Sequence, residues 1–326
     1  MANKKVEINY VRDFDCFDRA HFEIIKGISI LAALIVYVGT AFFGWDQTWL
    51  RPLNGVCVAV FLFCSGYGVS ESYERKGGLV HYWENKVIKV WIPSLVVVVI
   101  MSLILYNNFT AWVEYSFLGL KGYPLDLQLG AYAAFWLLWY FSDNKKVRIT
   151  GLYLLAIIAM FFLPLKYKCV LLCFPTGVLF SQLTLRRKLR GTKNVWRMVM
   201  CLVFVAITVA SWVLGVLTNN TFLQEASWAV TCLFGVFSLL FLVYTLRKIP
   251  VFGVFVPIGF MSFGLYLFYD YVLMLIRSAR DWQSVAIVVV LLPVIAGVFS
   301  WLRELLIVLN KNSRRRKRTH LKGSMW

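Results

Sequence analysis

Long apolar runs separated by short polar connections dominate the chain. Ten of them, at about 24–43, 52–72, 89–106, 128–142, 149–165, 168–184, 198–217, 227–246, 250–276 and 284–309, come near or above the length that crosses a bilayer. A helix rises about 1.5 Å per residue, so roughly 20 apolar residues cover a hydrocarbon core about 30 Å thick. The pattern predicts an all-α integral membrane protein with about ten transmembrane helices in one bundle. No long linker, low-complexity block or internal repeat interrupts it, and the longest connections, 107–127 and 185–197, have the length of a short amphipathic helix. The expected organisation is a membrane domain over 24–309, preceded by an N-terminal segment, 1–23, and followed by a basic tail, 310–326. The first run follows charged and polar residues and has no small-residue cleavage site, so it reads as a retained signal anchor.

Composition agrees: 60% of the 326 residues are hydrophobic, 17% aromatic and only 15% charged, with a mean hydropathy of +0.71. A net charge of +18 would suggest nucleic acid in a soluble protein, but its distribution along the chain gives it another meaning. All but six of the 34 Lys and Arg lie in the termini and the even-numbered connections; the six are Arg51, Lys121, Lys166, Lys168, Arg277 and Arg280. Basic residues mark cytoplasmic loops. Both termini are therefore expected in the cytoplasm, and ten spans satisfy the alternation where nine or eleven would break it. The partners this implies are the lipids of a plasma (inner) membrane, not nucleic acid.

Cys57, Cys64, Cys169, Cys173, Cys201 and Cys232 fall inside the runs and Cys16 in the N-terminal segment, which argues against a disulfide framework and for small buried hydrophobes. Gly55, Gly66, Gly68, Gly177, Gly235 and Gly264 lie inside runs, where they would let helices approach closely. RRRKR at 314–318 suits anionic headgroups or simply holds the C-terminus inside. NFT at 108–110 and NNT at 219–221 are sequons in predicted outer connections.

No GxSxG, HExxH, P-loop or GxGxxG is present, no metal-ligand set is expected, and His21, His81 and His320 all lie in predicted cytoplasmic segments. Four stretches carry polar groups that packing alone does not ask for: HFEIIKGISIL (21–31), FLFCSGYG (61–68), ENKVIKVWIP (84–93) and MSFGLYLFYDY (261–271). On these the chain resembles the acyltransferase-3 family, ten-span bacterial membrane proteins that O-acylate cell-surface sugars and glycolipids. The resemblance extends over about residues 20–310 and is closest over 21–93 and 258–271. It implies that Lys26 is the basic residue opening the first span, that Ser65, Gly66 and Tyr67 form the Ser-Gly motif, and that Lys86 and Lys89 are the basic pair before the third span. With these at the cytoplasmic face, the implied co-substrate is an acyl-CoA (acetyl-CoA), whose phosphates cationic side chains would hold.

The same comparison exposes departures. Where the family carries a histidine toward the outer end of the first span, its general base, this chain has Tyr37 or Val38, and where many members carry another in the late span it has Tyr269. Tyrosine, with an ordinary pKa near about 10, is a poor base at neutral pH. Asp270 becomes the alternative. It lies in an apolar run seven residues before Arg277, roughly 10 Å below the outer surface, at a depth similar to Tyr37. An ionisable group there is a functional candidate that faces the bundle interior or a wet cavity; equally, it can serve as a hydrogen-bond acceptor for tyrosine hydroxyls or reach Arg277.

The function expected from the resemblance is a membrane O-acyltransferase that moves an acyl group, expected to be acetyl, from cytoplasmic acyl-CoA to a hydroxyl of an extracytoplasmic glycan or lipid-linked sugar. Asp270, Tyr37 and Tyr269 are the catalytic candidates; Lys26, Ser65, Gly66, Tyr67, Lys86 and Lys89 are the donor-binding ones. A relative that has lost its base and binds or helps export a polysaccharide intermediate is the alternative, favoured by the missing histidines and opposed by the retained motifs. A secondary transporter would need paired Gly/Pro-broken helices that the sequence does not show.

Overall fold

The computed structural model describes residues 18–97, 124–163, 165–183, 194–246, 249–276 and 282–323. Every regular element among these residues is helical. Arg19–Phe42 (α1) and Gln47–Lys76 (α2) take up the first two apolar runs. Tyr82–Lys86 (α3) leads into a π-helical turn, Val87–Trp91, at the start of the third run. Pro124–Phe141 (α4) and Lys145–Phe162 (α5) follow, the latter capped by the Asn144 side chain on the Lys146 amide at 3.0 Å. After Leu165–Lys168 (α6) and Cys173–Gln182 (α7) come Asn194–Leu217 (α8), Thr221–Leu246 (α9), Phe255–Ile276 (α10) and Trp282–Gly323 (α11).

Six helical stretches among the described residues are long and apolar enough to cross a membrane: Arg19–Thr40, Pro52–Lys76, Val195–Leu217, Thr221–Leu246, Val251–Phe268 and Val290–Leu309. The protein is thus an all-α, multi-pass membrane protein. Three departures from the expected runs stand out, the first being α11, which continues to Gly323, 14 residues past the expected end at 309. α1 begins at Arg19 rather than near 24, because the polar His21 and Glu23 belong to its first turns. The run at 168–184, expected as one span, is broken into α6, a turn and the ten-residue α7. Pro175 accounts for the break: it is tolerated in the first turn of α7, but in a helix continued from α6 its ring would meet the carbonyl of residue 171.

The helices group into two compact units. In the first, which holds α1, α2, α4 to α9 and the start of α10, α2 crosses α7 where two glycines face each other. A methyl group on Gly66 would run into the Phe174 carbonyl oxygen, and one on Gly177 into the Phe63 carbonyl oxygen, so only glycine permits this approach. Gly68, expected to play the same part, has nothing within 4 Å of the position its Cβ would take. α8 and α9 are joined by hydroxyls, Thr208 to Ser238 at 3.1 Å and Ser211 to Thr231 at 2.8 Å, and by Phe204 packed among Phe234, Phe237 and Phe241. On its other side α8 exposes Val195, Met198, Leu202, Val209 and Leu217, the apolar surface a lipid-facing helix presents.

Contacts within this unit join helix ends that the charge pattern assigns to one side. Lys145 reaches Glu74 at 3.5 Å, and the Arg197 guanidinium lies 4.3 Å over the Tyr244 ring, which also meets the edge of His21. At the opposite ends Lys168 pairs with Glu225 at 3.2 Å. The buried Arg148 ties the α4–α5 connection to α2: it donates to the Ser142 carbonyl, to the Trp139 carbonyl at 3.3 Å and to Asp143 at 3.1 Å, and lies over the rings of Tyr73 and Trp139. In the second unit α10 lies against α11, with Phe268 edge-on to Phe299 at 5.4 Å and the Arg303 guanidinium over Phe263 at 5.4 Å.

Candidate functional site

The first turns of α1 carry FEIIKG, and helical spacing stacks Glu23 under Lys26. Their side chains pair at 2.8 Å, with 22% of Lys26 and 14% of Glu23 exposed. The backbone at this point is clamped to α10, because a methyl on Gly27 would meet the Phe255 carbonyl and one on Gly259 the Glu23 carbonyl. Phe22, one residue before the acid, packs on the buried Tyr67 of α2 with ring centroids 4.6 Å apart.

Two residues before Tyr67, at Ser65, a second polar group forms between α2 and α4. The Gln128 side-chain amide donates to the Ser65 hydroxyl and to the Tyr132 hydroxyl, each at 2.6 Å. Gln128 and Tyr132 are one turn apart on α4, so both face Ser65. The ammonium of Lys26 acts electrostatically on Cys64, the neighbour of Ser65, and on Tyr132, so the two polar groups stand near one another. Ser65 stands eleven residues before Lys76 at the end of α2, about 16 Å along the axis, and Tyr132 nine residues before the end of α4, about 14 Å. Ser65 and Tyr132 thus stand near the middle of their apolar helices, with Gln128 one turn closer to the start of α4.

A charged pair beside such a cluster, only partly covered by protein, cannot face hydrocarbon; groups of this kind line the bundle interior or a wet cavity. Glu23 compensates Lys26, so the site is polar but close to neutral. It offers hydroxyl and amide groups rather than a bare positive charge.

Lys86 and Lys89 belong to the second unit. Lys86 is half-buried, with its ammonium 5.8 Å from the centroid of the Tyr82 ring, while Lys89 is exposed. In an α-helix residues three apart share a face. The wider π-turn over Val87–Trp91 rotates each residue less about the axis, so the two positions do not share a face as closely as in an α-helix. His81 pairs with Glu84 at 3.0 Å beside them.

Residues 20–303 match the family model of the acyltransferase-3 acyltransferase domain. The chain belongs to the acyltransferase-3 family. No curated protein and no solved structure matches it at a significant level. Membership makes the chain a membrane acyltransferase in general terms, and it covers almost all of the described helices. Of the residues the acyltransferase-3 motifs single out, the structure brings Lys26, Ser65, Gly66 and Tyr67 together in one unit. Gly66 does so as the crossing point of α2 and α7, with its Cβ position closed off by the Phe174 backbone.

Of the catalytic candidates, Tyr37 is half-buried on α1, its carbonyl accepting from the Thr40 hydroxyl at 3.0 Å. Tyr269 and Asp270 fall in α10, and their side chains lie outside the described residues. Three residues of the site escape sequence reasoning: Glu23, Gln128 and Tyr132. The available signals were an acid one turn before a span-opening lysine and an amide inside an apolar run.

Proposed function

We propose that the protein is an O-acyltransferase of a plasma (inner) membrane, moving an acyl group, acetyl in the simplest case, from cytoplasmic acyl-CoA to a hydroxyl of an extracytoplasmic glycan or lipid-linked sugar. The observation that carries this reading is the partly accessible polar cluster of Gln128, Ser65 and Tyr132 among apolar helices, with the Lys26–Glu23 ion pair acting on it electrostatically. A purely structural membrane bundle gains nothing from a charged pair there, since such groups are expensive in lipid. Lys86 and Lys89 are suited to the donor's phosphates, whereas Lys26, compensated by Glu23, is suited to its uncharged part. In this reading the acceptor hydroxyl attacks the thioester carbonyl, its proton passes to the Asp270 carboxylate, and the carbon–sulfur bond breaks to release the CoA thiolate, which takes up a proton from water.

The alternative, a relative that binds or helps export a polysaccharide intermediate, draws on one observation, the tyrosines at 37 and 269 where the family has histidines. Acylation of the cell-surface glycan in wild type, Asp270→Asn and Tyr269→His cells separates the two. The acyltransferase reading expects acylation in wild type and its loss in Asp270→Asn with the protein still folded. Full acylation in the Asn variant rules out Asp270 as the base, and no acylation even in wild type supports the binding protein.

A further inference from the structure

We propose that Gln128, Ser65 and Tyr132 form a cradle for an amide of the donor's pantetheine arm; this rests on the acyl-CoA reading above and adds to the motif's Ser65 two binding residues, Gln128 and Tyr132, that neither the motifs nor the charge pattern assigns. The hydrogen bonds dictate the chemistry. Gln128 spends its side-chain N–H groups on the two hydroxyls, at 2.6 Å each, and keeps its carbonyl as an acceptor. Both hydroxyls are held on the one amide group, so they stand side by side, and an O–H remains to be donated to a guest. What the cluster presents is one acceptor beside one hydroxyl donor, the complement of a secondary amide.

Depth and cover select which amide. The pantetheine arm is an uncharged chain with two secondary amides, of the length of about four extended residues, about 14 Å. From the helix ends that the charge pattern assigns to the cytoplasm, Ser65 lies about 16 Å along α2, and Tyr132 about 14 Å and Gln128 about 20 Å along α4. With its phosphates among the last turns of those helices, the donor brings its arm to the cluster. Ser65 and Gln128 are each part-exposed, while the Tyr132 side chain behind them is buried, so the cluster has an open side. A phosphate would fit poorly here: the nearest cation, Lys26, is held by Glu23 at 2.8 Å.

The test compares two probes on the full chain in detergent or nanodiscs by calorimetry: acetyl-CoA, and the bisphosphorylated adenosine of CoA without its arm. Gln128→Leu and, as a smaller change that leaves the helix crossing intact, Ser65→Ala should each weaken acetyl-CoA binding about tenfold, the loss expected for one hydrogen bond, and leave the armless nucleotide unchanged. Unchanged acetyl-CoA affinity in both variants overturns the cradle. So does equal weakening of the two probes, which would mark a general disturbance of the site. Failure of the wild type to bind acetyl-CoA at all removes the donor reading itself, and this inference with it.

Discussion

Replacing Gly66 by alanine puts a methyl group where the Phe174 carbonyl oxygen of α7 already lies, with the Phe174 carbonyl carbon at 3.1 Å and the Val178 nitrogen at 3.3 Å. All three obstacles are backbone, so no side chain can turn aside. Restoring ordinary contact requires α2 and α7 to part by on the order of 1 Å, and overpacking of this kind costs about 1–3 kcal/mol. Two residues further along the same helix, Gly68 has nothing within 4 Å of its Cβ position. Alanine there meets no obstacle and, by removing backbone freedom from the unfolded chain, should stabilise by about 0.5–1 kcal/mol. Thermal unfolding in detergent, followed by reaction of the buried thiols of Cys57, Cys173 and Cys232 with a fluorogenic reagent, reads both. The expected order of melting temperature is Gly68→Ala at or above wild type, and Gly66→Ala clearly below. Gly177→Ala, the reciprocal change, should fall with Gly66→Ala, and the double variant should lose less than the sum because one displacement relieves both clashes. Equal melting temperatures for Gly66→Ala and wild type would refute the crossing, and with it the structural account of the central residue of the Ser-Gly-Tyr motif.

Arg148→Met removes a side chain with 6% exposure and leaves the Ser142 and Trp139 carbonyls without their donor, while the exposed Asp143 stays solvated; an unsatisfied buried group costs about 1–3 kcal/mol, and the same thiol assay should show the fall. Lys86→Gln together with Lys89→Gln should abolish photolabelling by a reactive acyl-CoA while leaving expression intact, because the loss is of phosphate pairing; unchanged labelling removes the pair from the donor site. Reporter fusions at residues 80, 145 and 190 should read cytoplasmic and those at 47, 115 and 221 external, and a reversal at any of the three basic loops overturns the ten-span arrangement.

The long helices were legible because hydropathy over twenty residues is a strong signal and bilayer thickness fixes its length: α1, α2, α8 and α9 fall where the apolar runs predict. The break between α6 and α7 was not. An unbroken apolar run says only that a segment avoids water, and the geometry of Pro175 matters only once a helix start is placed beside it. The π-turn under Lys86 and Lys89 is equally silent, since it arises from packing rather than from any residue type. At the site, the motif residues Lys26, Ser65 and Tyr67 could be named from their order along the chain. Gln128 and Tyr132 could not, because they join Ser65 across 63 and 67 positions of sequence and only the packing of α4 on α2 brings them there.

The short, buried α7 also bears on how the protein is made. Ten residues rise only about 15 Å, about half the hydrocarbon core, so a lone α7 entering the bilayer would leave at least one end, with its terminal amides or carbonyls, inside it. Lipid offers those groups no hydrogen bonds, and each one left bare costs several kcal/mol. α7 is therefore a poor independent insertion unit: it needs a protein surface waiting for it, and α2, synthesised earlier, supplies one at the Gly66–Gly177 crossing. A methyl group at that crossing should then cost protein twice, through degradation of chains that never seat α7 during synthesis and through weaker folding of those that do. Pulse-chase labelling separates the two losses, and equal early yields for Gly177→Ala and wild type would show that α7 finds its place without this contact.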